Sequence, residues 1–168
     1  MNRSKMLSKA VAIFLTDSVC PQGTLHSYAS FAPGGREWAL CTTQGGAGSM
    51  GKSVYRLNAN GWTRVAYTPF AGHGYGGIDV FGYPLGIAMA RDGFGVIWES
   101  RGTLYVTSDG GSHWTGLPKV ARPEVDFGLS GAALPHGTGY VLLSTGGVVT
   151  LIGTRDGGHS WHVVHRWP

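Results

Sequence analysis

The 168-residue chain is short of charge, of cysteine and of long apolar runs, and each shortage removes a class of protein. Charged residues make up 13%, too few for a coiled coil, while 42% apolar residues are too many for a disordered tail. No stretch approaches the ~20 apolar residues that a helix needs to cross a bilayer, so no spanning membrane segment is expected. Two cysteines, Cys20 and Cys41, cannot build a disulfide framework and lack metal-ligand spacing. They read as two free thiols, with Cys41 in a buried strand and a single bridge as the alternative. Acidic residues number 9 against 13 Lys and Arg, a formal charge of +4. Yet Arg36, Lys52, Arg56, Arg64, Arg91, Arg101, Lys119, Arg122, Arg155 and Arg166 stand singly, with no basic run interleaved with aromatics. That distribution argues against a nucleic-acid partner. His159, His162 and His165 are spaced so that successive members alternate faces of a strand, so no metal site is expected. Gly72–Gly77 lacks the Lys-Ser/Thr and the following helix of a phosphate loop, and no cofactor is implied.

Glycine is what the chain has in excess: 29 residues, against a usual share of about 7%. Six Gly-Gly pairs and further single glycines fall between short apolar runs, the pattern of many short strands joined by tight turns. An internal repeat organises them. Thr107-Ser108-Asp109-Gly110-Gly111-Ser112-His113-Trp114 recurs as Thr154-Arg155-Asp156-Gly157-Gly158-His159-Ser160-Trp161, with the tryptophans 47 residues apart. A shorter, eroded copy without the aspartate runs from Tyr55 to Trp62, 52 residues before Trp114. A period near 50 suits one four-stranded propeller blade. Strand-like runs flank each copy in the same order: 27–31, 37–41, 53–57 and 63–67; 86–90, 95–99, 103–107 and 115–117; 131–134, 139–144, 148–154 and 162–165.

These boxes resemble the Asp-box (BNR) repeat of sialidases, sortilin-type receptors and photosystem II assembly factor propellers. The copy ending at Trp161 matches every defined position, whereas His113 stands where Thr or Ser is usual. The resemblance implies an all-β array of about three four-stranded antiparallel blades, a partial β-propeller, over residues 26–168 (blades about 26–67, 86–117 and 131–168). It also implies a structural role for Thr107, Asp109, Gly111, Trp114, Thr154, Asp156, Gly158 and Trp161. The physics agrees: an Asp opening a turn accepts backbone N–H groups, Gly supplies positive φ, and Trp packs on the sheet with its indole N–H seeking a carbonyl.

Three blades do not close a ring, since propellers carry about four to eight. Closure is expected from a homodimer of six blades, from missing blades or a partner, or from capping by residues 1–25. Residues 1–25 form a weak leader-like or N-terminal extension, basic at Arg3, Lys5 and Lys9 before Ala10–Leu15, which leans toward an extracytoplasmic or secreted setting. The resemblance places ligands at the loop face, where Thr42–Lys52, Ala66–Leu85 and Pro118–Gly128 gather. There His73, Tyr75, Asp79, Glu124 and Asp126 are the candidate ligand-binding residues, aromatics and acids suited to a protein or glycan. The structural alternative is that the aromatics pack between blades and the acids cap turns. A non-catalytic binding or assembly module is expected, with no catalytic residue assigned. The alternative is a sialidase-like glycoside hydrolase, degenerate or completed by oligomerisation, which the scattered arginines disfavour.

Overall fold

The computed structural model describes residues 19–100, 103–117 and 127–168. Twelve strands follow in chain order: β1 (His26–Ala32), β2 (Arg36–Gly46), β3 (Ser49–Asn58), β4 (Gly61–Thr68), β5 (Pro84–Met89), β6 (Gly95–Glu99), β7 (Leu104–Thr107), β8 (Thr115–Leu117), β9 (Phe127–Leu134), β10 (Thr138–Thr145), β11 (Val148–Thr154) and β12 (His162–Trp167). They make three four-stranded antiparallel sheets with neighbours in sequence order, β1–β4, β5–β8 and β9–β12. The fold is all-β and propeller-like, with no helix among the described residues. The first sheet packs on the second and the second on the third; the first and third do not touch among the described residues. The array is open.

Burial follows from that order. The middle blade is covered on both sides, so β6 and β7 are buried at every position. A strand buried on both faces reads as a continuous apolar run, and Val96-Ile97-Trp98 is one. The outer strand of the third blade, β12, is exposed along its whole length. Two apolar cores fill the seams. One holds Trp38, Leu40, Val54, Ile87, Ile97 and Trp114 between blades one and two. The other holds Phe94, Val96, Trp98, Val106, Val141 and Ile152 between blades two and three. Trp98 lies in a slot that only glycine permits: a Cβ on Gly86, Gly128 or Gly131 would run into its ring.

Three expectations change. Cys20 and Cys41 are not free thiols but a disulfide, with Cα atoms 5.5 Å apart. The bridge fastens residues 19–25 to the outer side of the first blade, where Cys20, Ala39 and Cys41 are buried with Val19, Tyr55 and Trp62 packed against them. Thr42–Lys52 is mostly strand, because β2 and β3 stay paired as far as Gly46 and Ser49 around a tight turn at Ala47 and Gly48. Of Pro118–Gly128, Phe127 and Gly128 begin β9, and the rest, with Glu124 and Asp126, lies outside the described residues. So do residues 1–18 of the leader-like segment.

Candidate functional site

Antiparallel order puts the connections at two ends of the array. At one end lie the β1–β2, β3–β4, β5–β6, β7–β8, β9–β10 and β11–β12 turns, and these include both aspartate–glycine boxes. Thr107 Oγ1 donates to Asp109 Oδ1 (2.9 Å), which also accepts the N–H groups of Ser112 (3.0 Å) and His113 (2.9 Å). Gly110 and Gly111 take φ of 75° and 88°, values a side chain would strain. The Gly111 N–H donates to Thr107 Oγ1 at 3.1 Å, and the Trp114 indole N–H donates to the Gly111 carbonyl at 2.9 Å. Thr154, Asp156, Gly158 and Ser160 repeat the polar part: Gly158 N–H donates to Thr154 Oγ1 at 3.0 Å and Ser160 N–H to Asp156 Oδ1 at 3.0 Å. Hydrogen bonds hold both carboxyls below the ordinary range; for Asp156 the Ser160 hydroxyl is the largest cause, while for Asp109 they outweigh an opposing desolvation. The rings differ. Trp114 is buried and bonded, whereas Trp161 is half-buried and its indole N–H finds no partner among the described residues. In the eroded copy Asn58 substitutes for Asp, accepting the Asn60 N–H at 2.8 Å across a two-residue turn.

At the other end the β4–β5 connection folds back on the first blade. Tyr75 and Tyr67 exchange backbone hydrogen bonds (2.7 and 3.0 Å), Gly76 accepts the Trp114 N–H (2.7 Å), and Gly82 N–H donates to Gly48 (2.9 Å). A buried charge fastens this connection. Lys52 sits on β3 between Met50 and Val54, on the face that turns inward. Its ammonium has three donors and three acceptors around it: the carbonyls of Asp79 (3.0 Å) and Phe81 (2.5 Å), and Glu99 Oε1 of β6 at 2.6 Å. Both side chains of the ion pair are fully buried. Burial pushes the Glu99 carboxyl up to about 7, against the opposing pull of Lys52. Glu99 Oε2 and the Tyr105 hydroxyl make no hydrogen bond of good geometry among the described residues. Burial first, then the nearby charge of Glu99, raises the Tyr105 phenol.

The three candidate residues of this end that are described, His73, Tyr75 and Asp79, engage separate partners or none among the described residues and share no hydrogen bond. Tyr75 sits at the β4 edge, its hydroxyl 3.1 Å from Arg64 Nε, while the Arg64 guanidinium stacks 4.2 Å over the Tyr67 ring. Asp79 turns its carboxylate to the Phe81 N–H (2.8 Å), capping a turn as the structural alternative holds. His73 is exposed. Lys52, Glu99 and Tyr105 were not anticipated as a cluster, although alternation along β3 puts Lys52 on the same face as Met50 and Val54. Among the described residues no group of His, Cys, Asp and Glu is arranged to hold a metal ion. Beside His73 and Asp79, the connection exposes three aromatics: Phe81 at 69%, Tyr75 at 47% and Phe70 at 37% of their surface. The Phe81 backbone bridges Ser49, and the Phe70 ring lies beside Gly46, so both residues stand next to the tip of the β2–β3 hairpin.

No protein-family model matches the chain, and no curated protein matches it.

Proposed function

We propose that the protein is a non-catalytic binding or assembly module that engages a protein or glycan through the loop end of its first two blades. The observation that carries this reading is an exposed aromatic, Phe81, on a connection whose backbone is fastened from below by the buried Lys52–Glu99 pair. A solvent-exposed large ring is unremarkable alone, but here it stands on an immobilised backbone. Pre-organised aromatics make good binding anchors because little conformational freedom is lost on contact. The clustered ionisable groups beneath this connection, Lys52, Glu99 and Tyr105, are sealed and present almost no surface to a substrate. The likeness of the two aspartate turns to Asp-box propellers supports the same reading, since such turns serve the fold and leave recognition to the opposite end. The Cys20–Cys41 bridge fits an oxidising, extracytoplasmic setting, where disulfides persist.

The test is a glycan microarray and a peptide-display selection run in parallel on the folded, oxidised chain. Ligands recovered from either are re-measured against Phe81→Ala, with an at least tenfold loss expected, about 1.4 kcal/mol. Ligands that bind Phe81→Ala and wild type equally place recognition elsewhere and overturn the reading.

A further inference from the structure

The opposite end of the same seam holds a second feature. Between blades one and two, at the turn end, a cleft of about 450 Å³ is lined by Arg36, Trp38, Arg56, Asn58, Asp92 and Asp109. That volume falls within the range of small-molecule sites. Most of its polar groups are already engaged. Asp92 accepts the backbone N–H groups of His136 (2.6 Å) and Phe94 (3.3 Å), tying the carboxylate to turns of blades two and three. Asp109 is exposed but bonded within its own turn, with His113 Nδ1 2.7 Å from its second oxygen. Asn58 bonds Thr63 and Asn60. The Trp38 indole N–H donates to the Gly110 carbonyl at 2.9 Å, so the ring offers the cleft an apolar wall.

The two guanidiniums are the exception. Arg36 Nη1 donates to the Arg91 carbonyl at 2.7 Å, and Arg56 Nη1 reaches the Gly110 carbonyl only at 3.5 Å. Neither lies within ion-pair distance of a carboxylate among the described residues. A guanidinium carries five N–H donors in a fixed fork, so each keeps most of its donors unused at a cleft that both side chains line. We propose that this cleft binds a small oxyanion, a carboxylate, sulfate or phosphate group, held between Arg36 and Arg56. Planar forks match such groups in pairs of parallel hydrogen bonds, which a point charge does not reproduce. Asp92 and Asp109 oppose an anion by their charge, but both are tied into turns: Asp92 accepts the His136 and Phe94 N–H groups, and Asp109 is bonded to Thr107, Ser112 and His113. Free inorganic ions are therefore expected to bind weakly, with dissociation constants of about 1 mM, and more weakly as salt rises. The site lies at the far end of the blades from Phe81 and stands or falls independently of it.

The experiment titrates the ¹⁵N-labelled, oxidised chain separately with sodium phosphate, sodium sulfate and sodium acetate, with sodium chloride as the ionic-strength control. The Trp38 indole and Gly110 amide resonances report on the cleft. A saturable shift of both is expected with an oxyanion and not with chloride, and the stronger binder among the three tells tetrahedral from planar ligands. Arg36→Gln removes one fork from an exposed position and leaves the fold intact, as its own spectrum will show. Arg56→Lys keeps the charge but loses the fork. Each is expected to weaken binding by about tenfold. No saturable shift at roughly ten times the expected constant overturns the proposal, as do equal shifts with chloride or unchanged affinity in both variants.

Discussion

At the scale of single residues the Lys52–Glu99 pair is the least ordinary feature of the chain. Two charges fully out of water stabilise little, because desolvation offsets most of their attraction, yet removing one alone leaves the other stranded. Glu99→Leu or Lys52→Met alone is expected to destabilise the fold by about 3–5 kcal/mol, while the two together come close to wild type, measured by urea unfolding. The pH dependence follows from the direction of the shift. Glu99 takes up protons more readily in the folded protein, so its share of stability is complete below the unfolded value of 4.5 and is lost as pH rises through about 7. Asp109 and Asp156 shift the other way, and their share is present above the ordinary carboxyl range and lost as pH falls below it. Wild-type stability is thus expected to decline on both sides of about pH 5, and the double variant to lose the decline between about pH 5 and 7. An unfolding profile of unchanged shape in the double variant would show that Glu99 is not the group responsible.

At the scale of elements, the two aspartate turns share their polar bonds and differ in their rings. Trp114 is almost fully buried in the seam between the first two blades and donates to Gly111; Trp161 is half-buried, packs at the margin of the second core, and its N–H has no partner among the described residues. Trp114→Ala is therefore expected to cost about 3–5 kcal/mol and Trp161→Ala distinctly less, read as the difference between their urea midpoints at equal slope. Equal losses would mean that the repeat, not the burial, sets the worth of each ring. The strands and these turns were legible in the sequence because alternation, paired glycines and a recurring Asp…Trp spacing are local signals. β6, β8 and β11 span the runs 95–99, 115–117 and 148–154 expected from the repeat. The Lys52–Glu99 pair was not, since it joins strands of different blades 47 positions apart, and a lone lysine between glycine and serine reads as a turn. The same holds for Arg36 and Arg56, scattered along the chain yet lining one cleft. His73, Tyr75 and Asp79 were grouped by closeness in sequence, but a connection that doubles back sends such neighbours to separate partners.

At the scale of the whole molecule, an open array has two terminal sheet faces, and they are finished differently. The first blade carries the 19–25 strap, held by the Cys20–Cys41 bridge over Ala39 and Cys41. The third blade keeps Leu134 and Val164 about half exposed at 47% each, with Trp167 at 43%. A head-to-tail ring of two chains needs the first blade's outer side free, and the strap occupies that side. Reduction removes the crosslink that holds it there. Closing a loop of 21 residues is worth about 3 kcal/mol by chain entropy, so the reduced protein is expected to unfold at lower temperature. It is also expected to associate more readily, because releasing the strap bares a second apolar face able to meet the third blade of another chain. Sedimentation velocity of the oxidised chain, the reduced chain and Cys20→Ser at matched concentration measures both the state and its cause. A larger species in the reduced samples alone assigns the strap the role of a stopper; identical distributions in all three would mean that the strap stays in place without its sulfur bridge.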